Sequence, residues 1–146
     1  MKKLILVFQL ALLSTILLSQ NGTYRCNSQR FQDKNNPSRN NDHETAMIIT
    51  VDVNDYTGGF VLISCPSEDI SYKYDILKKL GTKVNSEHRS IFTFYEARFN
   101  LANVQAPVTF VVVFIQETGE SSFDIAVENT DKEITTLYQN LTKITI

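Results

Sequence analysis

Residues Val108 to Ile115 read Val-Thr-Phe-Val-Val-Val-Phe-Ile, an uncharged run in which every side chain is β-branched or aromatic. Such residues lose rotamer freedom on a helix and pack well on a pleated surface. A β-branched and aromatic run with no charge predicts a strand buried on both faces. Glu117-Thr118-Gly119-Glu120 then supplies a turn, and Phe123, Ile125 and Val127 share one face of a return strand. Together they predict a hairpin.

The same period of two recurs upstream. Met47, Ile49, Val51 and Val53 alternate on one face, Asn54 to Gly59 reads as a turn, and Phe60 to Cys65 returns. Ile91, Thr93, Tyr95, Ala97 and Phe99 form another alternating face, opposite Phe92, Phe94, Glu96 and Arg98. Two segments carry helix signals instead. In Ser67 to Leu80, Ile70, Tyr72, Tyr74 and Ile76 alternate as in a strand. Yet Ser67 suits an N-cap, Glu68 and Asp69 suit a helix start, and Lys78, Lys79 and Gly81 suit a helix end. These three end signals tilt the expectation towards a helix. In the tail, Thr130 and Glu133 match a capping box, and Ile134, Leu137, Tyr138, Leu141 and Ile144 recur at helical spacing. The expected class is α+β: an antiparallel sheet of about five strands with one or two packed helices. An all-β sandwich or small barrel is the alternative if both doubtful segments are strands.

The N-terminus carries an address. Lys2 and Lys3 precede an apolar run from Leu4 to Leu18, and small Ser19 leads into polar Gln20-Asn21-Gly22. That order is the pattern of a secretory signal peptide, and the run falls short of the roughly 20 residues a membrane-spanning helix needs. Cleavage after Ser19 removes 19 of the 146 residues and leaves 127, about one domain. Losing two lysines moves the formal charge from −2 to −4. A mildly acidic, charge-mixed surface argues against nucleic-acid partners. The expected organisation is a signal peptide over 1–19, a polar segment and loop over 20–44, and one β-rich domain over 45–146. The loop assignment rests on Asn27 to Glu44, where Phe31 is the one large apolar residue among Asn, Ser, Pro and charged groups.

In an exported chain the two cysteines, Cys26 and Cys65, are expected to form one disulfide. Closing that loop of about 40 residues is worth roughly 4 kcal/mol in chain entropy. Asn21-Gly22-Thr23 and Asn140-Leu141-Thr142 satisfy the N-glycosylation rule. Asn36-Pro37-Ser38 does not, because of its proline.

Motifs for catalysis are sparse. His43-Glu44 begins like the zinc signature H-E-x-x-H, but Met47 stands where the second histidine belongs. No G-x-S-x-G elbow and no phosphate-binding glycine loop occurs. His88 and Arg89 with Lys78, Lys79 and Lys83 suggest a small basic patch, diluted by Asp75 and Glu87. Phe92, Phe94, Tyr95, Phe99, Phe110, Phe114 and Phe123 fall on candidate strands, where they fill a core or line a lipid-holding cavity. The tryptophan of a lipocalin opening is missing, since the chain has none. The expectation is a secreted, non-catalytic binding protein with an extracellular protein or glycan partner, no cofactor, no metal and no membrane anchor after processing. A carrier of a small apolar ligand is the alternative, and a small extracellular enzyme comes third.

Overall fold

The computed structural model describes residues 21–99, 108–117 and 122–145. They form eight antiparallel strands: β1 Gly22–Asp33, β2 Asn41–Asn54, β3 Gly58–Cys65, β4 Ile70–Asn85, β5 Ser90–Phe99, β6 Val108–Glu117, β7 Phe123–Asn129 and β8 Ile134–Lys143. Each strand pairs with the next in sequence, and β8 closes on β1 into an up-and-down barrel. The expected α+β class is therefore corrected to the all-β alternative, in its barrel form. The helical element among the described residues is one 3-10 turn, Pro37–Arg39. The signal-peptide segment lies outside the described residues.

Both helix expectations fail, and a bulge lies in each of the two strands found instead. Strand β4 slips register against β5 between Ile76 and Lys78 and again between Lys79 and Gly81. Gly81, which resembled a helix stop, follows the second bulge at Leu80, with φ +151° and open space where a Cβ would stand. In β8 the slip lies opposite Phe123–Ile125, and Asn140 takes φ +55°. A bulge inserts one residue and moves the inward face from i+2 to i+3. Tyr138 and Leu141 thus both point inward at a spacing that mimics a helix turn. Glu133, the supposed capping glutamate, instead takes φ +52° in the β7–β8 turn.

The polar stretch before residue 45 is also barrel wall. Residues 27–33 belong to β1 and 41–44 to β2, so the expected domain boundary at 44 falls within a strand. The connection between them is fastened by Asp33, which is buried. Its Oδ1 accepts from the Asn35 and Asn36 amides at 3.0 Å each, and its Oδ2 accepts from Arg39 at 3.2 Å. Polar composition misled because a barrel strand near the rim needs few apolar side chains to hold its ladder.

Both predicted hairpins form, β2–β3 and β6–β7; the β6–β7 turn residues 118–121 lie outside the described set. In the β2–β3 turn, Asn54 Oδ1 accepts from the Tyr56 and Thr57 amides at 2.9 and 3.2 Å. Gly59 follows at φ +138°, where a Cβ would strike the Asp52 carbonyl.

Alternate residues of every strand enter one core, including Tyr24, Ile49, Ile63, Tyr95, Phe114, Ile125 and Leu141, each at most 2 % exposed. Truncating one such side chain to alanine costs roughly 2–5 kcal/mol. Apolar side chains dominate the inside, while Arg25, Arg30, Lys73 and Glu96 stand on the outside. That is the reverse of a barrel whose outer face meets lipid.

Candidate functional site

Eight strands enclose a space that side chains just fill or that holds one small ligand. This barrel does one thing at each end. The end that carries the β2–β3 turn is plugged. There Tyr24 packs edge-on to Phe123 (ring centroids 4.8 Å apart), Phe123 lies against Phe114, and Phe114 meets Tyr95 edge-on at 5.5 Å. Tyr95, fully buried, donates its hydroxyl to Asp55 Oδ1 at 2.8 Å, and Lys79 Nζ donates to Asp55 Oδ2 at 2.8 Å. Lys79 stands opposite Tyr95 in the ladder, between the two β4 bulges. The bulges thus hold this lysine over the turn that carries Asp55.

The other end is a cup of about 260 Å³. Its wall is built by Gln29 and Phe31 of β1, Thr45 and Met47 of β2, Ile63 and Cys65 of β3, Tyr72 and Tyr74 of β4, and Thr136 and Tyr138 of β8, with Glu68 at the rim. Phe99 stacks on Tyr74 at 5.1 Å, Phe110 meets it edge-on at 5.4 Å, and together they back that wall. The lining mixes rings and sulfur with hydroxyls and one amide.

Two tyrosines define its chemistry. Tyr74 and Tyr138 are 8 % and 5 % exposed, both line the cup, and neither hydroxyl has a protein hydrogen-bond partner among the described residues. Burial pushes the Tyr74 phenol up to about 12. It raises Tyr138 further, with Tyr74, Tyr72 and Cys26 nearby adding in the same direction. Both therefore stay neutral, able to donate and to accept. Neither oxygen is a buried polar atom left without a partner, so both open onto the space of the cup. There they can meet a polar atom that enters it.

The sequence-selected residues distribute unevenly around this site. Cys26 and Cys65 are buried, and both thiols are free, which corrects the expected disulfide. Register gives the reason. Cys26 pairs with Met47, and Ile48↔Ser64 places Met47 opposite Cys65 one step on. With Met47 between them the two Cα atoms lie about 10 Å apart, beyond the roughly 7 Å a disulfide can bridge. The Cys26 thiol instead donates towards the Ser28 and Gln139 carbonyls at 3.2 and 3.3 Å, and burial raises its pKa. Cys65 faces the cup and contacts the Ser67 hydroxyl at 3.4 Å.

Asn21 and Asn140 stand apart from the cup. The Asn21 side chain pairs with Val53 as a strand residue would, donating to its carbonyl at 3.0 Å and accepting from its amide at 2.9 Å. Asn140 is exposed at the β8 bulge, and its amide donates to Asp124 at 2.7 Å. His43 lies at the rim, 4.0 Å from Glu68. The suggested basic patch is dispersed: Lys78 pairs with Glu96 at 2.9 Å, Lys79 with Asp55, and His88 sits in the exposed β4–β5 turn. Among the aromatics, Tyr95, Phe114 and Phe123 fill the plug, Phe99 and Phe110 back the cup, and Phe94 carries Lys83 over its ring. Sequence reasoning missed Gln29, Phe31, Thr136 and Tyr138 as lining. The first two sat in a supposed loop, and the others in a supposed helix.

The protein is, by fold and site, an up-and-down eight-stranded β-barrel, plugged at one end and cupped at the other. No protein-family model matches the chain, and no curated protein and no solved structure is detectably similar to it.

Proposed function

We propose that the protein is a secreted, non-catalytic binding barrel that holds a small amphipathic molecule in its cup. The observation that carries this is the pair of hydroxyls that Tyr74 and Tyr138, otherwise buried, present without a protein partner to an open-ended cavity. A cavity of about 260 Å³ lies just under the usual 300–1,000 Å³ of ligand sites, which suits a compact ligand rather than a long acyl chain. Its mixed lining favours an amphipathic molecule over the purely apolar one that the strand aromatics suggested. The leader segment supports export, and a small-molecule carrier or scavenger outside the cell fits that compartment.

Cys65 is a built-in reporter. Small phenols and indoles should slow its alkylation, mapped by mass spectrometry, and raise the melting temperature of the wild-type protein. Thr136→Trp fills the cup from its wall and should abolish both effects while leaving the barrel folded. Equal responses in wild type and Thr136→Trp, or no protection of Cys65 by any compound, would overturn the reading.

A further inference from the structure

A cup made of neutral groups cannot choose a ligand by charge. Among the described residues that line this cup, one bears a carboxyl group, and it is Glu68. The carboxylate sits at the rim in the β3–β4 turn, half exposed, and no lysine or arginine joins the lining. The turn itself is anchored, since the Glu68 amide donates to the Cys65 carbonyl at 3.2 Å. Two arginines on the flanking strands and turn are already paired: Arg39, whose guanidinium also lies 5.8 Å over the Phe31 ring, binds buried Asp33, and Arg30 binds Asp42 at 2.7 Å. The neighbouring titratable group is His43, 4.0 Å from Glu68.

The same lining holds the rings of Tyr72, Tyr74 and Tyr138, and that of Phe31, over which Arg39 already lies. Aromatic faces carry negative potential and attract a cation passing over them. Tyr74 and Tyr138 also bring the two unpartnered hydroxyls. Carboxylate, rings and hydroxyls therefore share one cup wall. Resting on the proposed binding function, we infer that the ligand is a protonated amine attached to a compact body with a polar atom at its far end. The ammonium meets Glu68 at the mouth, the body lies among the rings, and the distal polar atom bonds the Tyr74 or Tyr138 hydroxyl. A half-exposed charge pair is partly screened, so Glu68 contributes preference more than raw affinity, roughly fivefold.

Three probes of one shape test this: tyramine, neutral 4-ethylphenol and anionic 3-(4-hydroxyphenyl)propanoate. Binding is read by calorimetry and by protection of Cys65, for wild type, Glu68→Gln and Glu68→Lys. The expected order in wild type is tyramine, then 4-ethylphenol about fivefold weaker, then the anion. Glu68→Gln should level tyramine with 4-ethylphenol, and Glu68→Lys should favour the anion. If 4-ethylphenol equals tyramine in wild type, or if Glu68→Gln keeps the full preference, the amine assignment is wrong while the cup remains a binding site. If none of the three probes protects Cys65 but other neutral phenols or indoles do, the amine assignment alone is again wrong. If no compound protects it, the binding function falls as well. Circular dichroism of both variants checks that the barrel is intact, and the neutral probe serves as a folding control because it does not engage Glu68.

Discussion

Asp55→Ala removes the group on which the plugged end converges. The wild-type carboxylate takes one hydrogen bond from Tyr95 and one from Lys79, each at 2.8 Å. Lys79 retains about a quarter of its side-chain exposure, so its ion pair is solvent-screened and worth at most about 1 kcal/mol. Tyr95 differs because it is fully buried. Once Asp55 is gone its hydroxyl keeps the desolvation penalty without a partner, about 1–3 kcal/mol. The sum is a loss of roughly 1–4 kcal/mol. With a urea m-value of about 2 kcal/mol/M, the midpoint should fall by roughly 0.5–2 M. The diagnostic is the double variant. Tyr95→Phe removes the stranded hydroxyl, so Asp55→Ala/Tyr95→Phe should be more stable than Asp55→Ala alone. Urea unfolding followed by circular dichroism measures all four proteins. A loss under about 0.5 kcal/mol for Asp55→Ala, or a double variant no better than the single, would refute the account of the plug.

The alkaline limb of stability is set by tyrosines, and the sign follows from their shifts. Tyr24 and Tyr74 are pushed from 10 up to about 12, and Tyr95 and Tyr138 are raised as well, all chiefly by burial. Raised folded values mean the native state holds protons that the unfolded chain releases. Stability should be flat below pH 10 and fall steeply between about 10 and 12; denaturation midpoints across that window that do not fall would contradict it. For the thiols, unfolding without reductant should allow alkylation of both Cys26 and Cys65. In the native protein Cys26 should react far more slowly than Cys65. A requirement for reductant would mean a disulfide and would sink the register argument.

Legibility followed how local each signal was. The β2–β3 and β6–β7 hairpins could be read directly because strict alternation around an Asn- or Gly-bearing turn is decided by neighbouring residues. Strand β8 could not, since its bulge converts two-residue spacing into three-residue spacing, which reads locally as a helix turn; in β4 the alternation was legible, but turn residues at 67–69 and Gly81 beside a bulge imitated helix ends. The plug was invisible for a similar reason: Asp55, Lys79 and Tyr95 come from a turn and two strands, and only the bulges in β4 bring the lysine over them.

The amino-acid sequence by itself determined the alternating faces that carry Met47, Ile49 and Val51, Tyr95, and Ile125, and it carries a leader that resembles an export signal. Barrel closure decided the rest. Pairing β8 with β1 turned a supposed loop and a supposed helix into adjacent walls and set Gln29 beside Tyr138. Cup and plug depend on contacts between residues as far apart as 29 and 138, and such contacts depend on register summed around the whole ring. The same register kept Cys26 and Cys65 apart. Compartment and cysteine count favour a bond, but one intervening strand puts it out of reach.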